Sequence, residues 1–155
     1  TREFRPSSFA EVVGNDVSVR LLKAIAKHPD DAPTTIILCG GYGCGKTTCS
    51  RVFAKALNCE HFRDDICGKC KCCLQDIQST PYYREYDSSV VGNIDSIREL
   101  KESFSFSVKG HYRVIVLDES HLINKQSQSA LLTIIAFPSP KSMKRSICFL
   151  KHSAL

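Results

Sequence analysis

No stretch of this 155-residue chain approaches the ~20 consecutive apolar residues that a membrane-spanning helix needs. Its first residues, Thr1-Arg2-Glu3-Phe4-Arg5-Pro6, lack the apolar core of a secretory signal. Both absences point away from membranes and secretion, so the expected compartment is the cytoplasm, with no membrane partner. A strong excess of one charge is missing too. The formal net charge of +5 is modest and argues only weakly for an acidic partner such as nucleic acid. The remaining composition, 43% hydrophobic and 24% charged, is that of one ordinary domain able to bury a core. Cysteine is the exception, with nine in the chain. In a secreted protein they would suggest disulfides, but in a reducing compartment clustered cysteines more often bind metal.

The chain is organised around Thr35-Ile36-Ile37-Leu38-Cys39-Gly40-Gly41-Tyr42-Gly43-Cys44-Gly45-Lys46-Thr47-Thr48. A short β-branched run reads as a buried strand, and it feeds directly into the phosphate-binding pattern Gly40-x₄-Gly45-Lys46-Thr47. Gly40, Gly41, Gly43 and Gly45 let the backbone turn several N–H groups toward one anion, and the helix starting near Lys46 adds its positive end. Residues 40–48, Tyr42, Cys44 and Thr48 included, are the expected nucleotide contacts. Lys46 is expected on the β- and γ-phosphates, with the Thr47 hydroxyl on Mg²⁺.

Other elements follow from periodicity and breakers. Asn15 or Asp16 can cap a helix with Val17, Leu21, Ala24 and Ile25 on one face, ending before Pro29. The helix from about Lys46 to Leu57 shows Val52, Phe53, Ala56 and Leu57 to the core. A strand spans Tyr82 to Tyr86, and Asn93 caps a helix carrying Ile94, Ile97, Leu100 and Phe104. Tyr112 to Leu117 is a nearly continuous apolar strand of the kind buried on both sides of a parallel sheet. It runs into Asp118-Glu119-Ser120-His121. A carboxylate at the C-terminal end of such a strand sits where open α/β sheets bind ligands. Asp118 would complete the Mg²⁺ shell, and Glu119 would orient or deprotonate an attacking water. The alternative is a pair of solvated carboxylates at a turn. A helix from about Asn124 to Ile135, stopped before Pro138, and a last strand over Ser146 to Leu150 complete an α/β fold. Its parallel sheet should bring the glycine loop and the acid pair together on neighbouring strands.

Residues 58–80 interrupt this rhythm with Cys59-x₇-Cys67-x₂-Cys70-x₂-Cys73. Each x₂ turn brings two sulfurs within reach of one ion, the spacing of a four-thiolate zinc site. Arg63, Lys69 and Lys71 nearby favour deprotonated sulfur. Cys72 competes with Cys73, but Cys70-x-Cys72 is the poorer spacing. With no position for a bound water, such a Zn²⁺ would be structural. Inert free thiols are the other reading.

Residues 1 to about 137 resemble the ATPase domain of the bacterial DNA polymerase III gamma/tau family, the AAA+ motor of the sliding-clamp loader. The likeness rests on several unrelated segments in the family's order: Arg5-Pro6-Ser7-Ser8-Phe9 through Val12-Val13-Gly14, Phe53-Ala54-Lys55-Ala56-Leu57-Asn58-Cys59, the four cysteines, Asp95-Ser96-Ile97-Arg98-Glu99-Leu100, and Val116-Leu117-Asp118-Glu119-Ser120-His121. The resemblance implies a P-loop NTPase fold of the RecA-like AAA+ type with an inserted zinc module. It further implies adenine near Val12 and Val13, and ATP binding and hydrolysis coupled to loading a clamp on primer–template DNA. Partners would be other loader subunits, the clamp and DNA. The chain departs from the family at Thr133 to Phe137. It would be a partial AAA+ domain without lid, collar or arginine finger, possessing low activity in isolation, and Ser153 is the nearest counterpart of the γ-phosphate sensor. A catalytically silent scaffold is the competing reading. Asp118-Glu119-Ser120-His121 also spells a DExH helicase box, although a second motor lobe is missing.

Overall fold

The computed structural model describes residues 5–89, 94–106, 108–136 and 146–153. Four parallel strands form one sheet: β1 (Thr35–Gly40), β2 (Tyr83–Asp87), β3 (Arg113–Asp118) and β4 (Ser146–Ser153), in the spatial order β1-β4-β3-β2. Four longer helices accompany them: α1 (Asp16–Lys27), α2 (Lys46–Leu57), α3 (Ile94–Ser105) and α4 (Lys125–Ala136). No described helix is long and apolar enough to cross a membrane.

Strand alternation explains the layers. Successive side chains of a strand point to opposite faces. On β3, Val114 and Val116 join a core with α1, α2 and the cysteine segment, whereas Ile115 and Leu117 join a second core with Leu100 and Phe104 of α3 and Leu131 of α4. β4 divides likewise, Ile147 and Phe149 facing the first core and Cys148 the second. A strand apolar at every position is therefore one covered twice, which agrees with the reading of residues 112–117.

Several expectations are corrected. β1 and β3 are not neighbours, because β4 lies between them and pairs with both. The last strand also runs past Leu150 to Ser153, a longer element than the sequence suggested. On α1 the buried stripe is Val19, Leu22 and Ala26, while Val17 and Leu21 are exposed and Ala24 faces outward. Both stripes satisfy helical spacing, and packing on α2 selects one of them. Ile25 is half-buried against the same core. Asn15 occupies the N-cap position of α1, yet its side chain makes no capping bond and donates instead to the Cys44 carbonyl at 2.8 Å. The expected cap at Asn93 and the stop at Pro138 lie outside the described residues.

The 58–80 segment packs beside α2 with a short helical turn at Lys71–Leu74 and a 3₁₀ turn at Ile77–Ser79. It reaches back to the start of the chain. The Asp65 carboxylate accepts the Phe9 N–H at 3.0 Å and the Ala10 N–H at 2.7 Å, which seats the Phe9 ring in the first core.

Candidate functional site: a phosphate loop facing an acid pair

β1 ends at Gly40 and α2 begins at Lys46, so the loop between them must reverse the chain within five residues. Gly43 and Gly45 take φ of 77° and 87°, a region that side chains bearing a Cβ rarely adopt. The loop's N–H groups and the first turn of α2 form a cradle suited to an anion. The Lys46 ammonium lies within this loop, donating to the carbonyls of Gly40 and Gly41 at 2.8 Å each.

At the end of β3, Asp118 and Glu119 reach the same place. One cleft of about 440 Å³ is lined by Tyr42 to Thr48 and by Asp118 and Glu119, with Arg5, Arg51 and Glu85 completing it. Glu119 has φ 49°, a left-handed conformation costly for a glutamate, and its carboxylate lies 3.4 Å from Nδ1 of His121. The two predicted segments therefore meet across an intervening strand. Val12 and Val13 do not line this cleft: Val12 packs on the first core, and Val13 is 95% exposed.

Three residues at the cleft were not singled out from the sequence. Arg51 of α2 grips Glu85 of β2 through two hydrogen bonds of 2.7 and 2.8 Å, and the Tyr83 hydroxyl donates to the same carboxylate. Burial pushes the Glu85 carboxyl up, but the Arg51 guanidinium and Tyr83 hydroxyl outweigh it and hold the group below its ordinary value. Arg51 is one helical turn beyond Thr47, so the signal was its place on the loop-facing side of α2. The third is Lys151 on β4, whose side chain is 1% exposed. Its ammonium contacts the Asp118 carboxylate at 2.7 Å and donates to the Thr47 hydroxyl at 2.8 Å. The signal was a lysine closing the apolar run Ile147-Cys148-Phe149-Leu150, where a buried charge needs a partner.

Lys151 bears directly on magnesium. Thr47 and Asp118 are the expected ligands, and both oxygens are already engaged by one ammonium. An ion touching either oxygen at ~2.1 Å would lie at most ~5 Å from that nitrogen. Repulsion between a dication and an ammonium at this separation is about 7 kcal/mol at an effective dielectric constant near 20. As they stand these two oxygens are fitted to an ammonium, and magnesium would reach them only by sharing them with Lys151 or displacing it.

The second cluster is sulfur. The Sγ atoms of Cys59, Cys67, Cys70 and Cys73 all lie within 4.8 Å of one another. Cys73 is 3.4 Å from Cys70, 3.6 Å from Cys59 and 3.8 Å from Cys67. A tetrahedral Zn²⁺ with ~2.3 Å bonds requires sulfurs ~3.8 Å apart, so the set has the dimensions of a zinc site. Cys72 is buried in the first core and is not part of the four-sulfur group. The Cys67 thiol is lowered to about 6, chiefly by the backbone N–H groups of Lys69 and Cys70. Local amides rather than the neighbouring cationic side chains lead this shift. Burial pushes Cys73 and Cys59 the other way.

A family model described as DNA polymerase III, delta subunit, matches residues 14–147. The chain is 37% identical to a DNA polymerase III subunit gamma/tau of Mycoplasma pneumoniae over 84% of its own length and 19% of that protein. It is 34% identical to the gamma/tau subunit of Mycobacterium tuberculosis over 88% of its length and 24% of the relative. The chain thus spans about a fifth to a quarter of these relatives. Among solved structures, the Thermotoga maritima RuvB Holliday junction branch migration motor superimposes with a TM-score of 0.65 at 17% identity, over 97% of this chain and 42% of that one. A DNA polymerase III gamma subunit-related protein of Thermotoga maritima gives 0.60 at 12% identity, over 85% and 39%. These structural likenesses establish the fold, while the sequence matches establish kinship: the chain belongs to the family described as DNA polymerase III, delta subunit, and its curated relatives are gamma/tau subunits.

Proposed function

We propose that the chain is the nucleotide-binding part of a DNA polymerase clamp-loader subunit. ATP binding orders the assembly with other loader subunits, which opens a sliding clamp and sets it on primer–template DNA during replication. One observation carries this reading: the glycine loop and the acid pair, more than seventy positions apart in the chain, line a single cleft of nucleotide-phosphate size. Lys46 would exchange its bonds to the Gly40 and Gly41 carbonyls for phosphate oxygens. Loop and helix N–H groups would hold the rest of the polyphosphate. Glu119, at the cleft wall, would orient a water toward the terminal phosphate. Lys46→Ala should abolish ATP binding by calorimetry. Glu119→Gln should bind ATP and lose the turnover seen when the chain is mixed with loader subunits, clamp and primed DNA. Normal ATP binding by Lys46→Ala would refute the site.

Lys151 favours a second reading, a loader subunit that binds nucleotide but hydrolyses it poorly. Its ammonium takes the oxygens that would otherwise draw the dication on which phosphoryl transfer depends. ATPase at background in the complete mixture supports the silent role, and activity dependent on Glu119 supports the motor. Cys59, Cys67, Cys70 and Cys73 would hold a structural Zn²⁺ that ties residues 58–80 to the domain. Elemental analysis should find about one zinc per chain, and protein whose 58–80 segment stays ordered without metal would refute that assignment.

A further inference from the structure

We infer that Lys151 is the resident cation of the phosphate cleft, so that the chain takes up a nucleoside triphosphate without a divalent ion. The inference rests on the nucleotide-binding reading above and specifies which ionic form of the ligand the site accepts. Backbone register fixes where the ammonium must go. Lys151 pairs with Leu38 on β1, two residues before Gly40. On its other flank, Leu150 pairs with Leu117, immediately before Asp118. The strand thus delivers a lysine into the gap between the phosphate loop and the acid. The stem is sealed from solvent and the Ser120 hydroxyl bonds the Lys151 carbonyl at 3.1 Å, so the charge is anchored at both ends of the residue.

Charge in the cleft supports the same conclusion. Its cationic side chains are Arg5, Lys46 and Arg51, with Lys151 behind Thr47 and Asp118; its carboxylates are Glu85, Asp118 and Glu119. Cations outnumber carboxylates by one before any metal enters. A metal-free triphosphate carries more negative charge than its magnesium complex, and a site with its own surplus of positive charge prefers the more anionic form. Asp118, which would repel a bare polyphosphate, is neutralised by the Lys151 contact.

The test measures ATP affinity of the full chain by calorimetry, with and without millimolar magnesium. Buffer is stripped with chelating resin rather than a soluble chelator, so that the cysteines keep their metal. The native chain should bind ATP at least threefold more weakly with magnesium than without it, because the ion withdraws the metal-free form that the site prefers. Lys151→Thr should bind at least tenfold more tightly with magnesium than without it, because the two oxygens become available to the ion. A native chain that binds ATP as tightly with magnesium as without it, within threefold, or more tightly, overturns the inference, and so does a Lys151→Thr chain with the native ratio. If that variant does not fold, the native pair of measurements still decides. Lys46→Ala, run in parallel, should bind under neither condition. A native chain that binds no ATP at all overturns the nucleotide reading and this inference with it, whereas native binding that magnesium does not weaken threefold overturns this inference alone.

Discussion

The phosphate cleft and the cysteine cluster are both polar constellations embedded in an apolar domain, but they are assembled on different scales. The four sulfurs come from a span of fifteen residues: two x₂ turns gather three of them, and Cys59 joins from just upstream. The cleft joins the loop after β1, the end of β3 and a lysine on β4, with Thr47 and Lys151 separated by 104 positions. Local chain geometry builds the first, whereas sheet topology builds the second. They also differ in what offsets their polarity. Opposite charges are already matched inside the cleft, through Lys151 with Asp118 and Arg51 with Glu85. Among the described residues the sulfurs are met by one another and by backbone N–H groups, an arrangement that a dication would complete.

The sharpest way to break this contrast is to remove metal. A structural zinc supplies on the order of 10 kcal/mol to a small module, comparable with the whole stability of a domain. Stripping it from purified protein should therefore abolish hydrogen-exchange protection over residues 59–74 while β3 and β4 stay protected. Equal loss in the sheet would show that the two regions are one cooperative unit.

Next in size is Asp118→Asn. It leaves the Lys151 ammonium buried with neutral partners and should cost about 3 kcal/mol in urea unfolding, without changing metal content. Adding Lys151→Met to that variant should recover part of the loss, because the stranded charge is removed as well. Glu85→Gln should cost about 2 kcal/mol by the same measurement, since a charged hydrogen-bond acceptor for Arg51 disappears. The pH dependence has a definite sign. The folded Glu85 carboxyl is held below its ordinary 4.5, so its contribution is complete above that value and is lost as pH falls through the lowered one. The native chain should lose this increment on acidification and the glutamine variant should not. The smallest effect belongs to Asp65→Ala, about 1 kcal/mol, through release of the Phe9 and Ala10 N–H groups. It should appear as faster proteolysis near Phe9, with the sulfur cluster intact.

The same difference of scale governs what could be read in the sequence. Glycine spacing, the run into Asp118 and the cysteine intervals are local patterns, and each landed in the element expected of it. Strand adjacency is not local. An apolar run announces a buried strand but not its neighbours, so β1 and β3 were placed side by side when β4 separates them. Lys151 was missed for that reason, because its meaning depends on which strands flank it. The face of α1 failed differently: Val17 and Leu21 satisfy the helical period as well as Val19 and Leu22 do, and only docking on α2 tells them apart. Arg51 and Glu85 are ordinary surface residues until the sheet brings them into contact.

β1 has a consequence of its own. Among the described residues it pairs on one side only, with β4, and Ile37 is 60% exposed on this outermost strand. Free amide and carbonyl groups beside an exposed isoleucine are a template for adding a further strand. At high concentration the isolated chain is therefore prone to join edge to edge with its own copies, and the strand that begins the phosphate loop is where such assemblies would start.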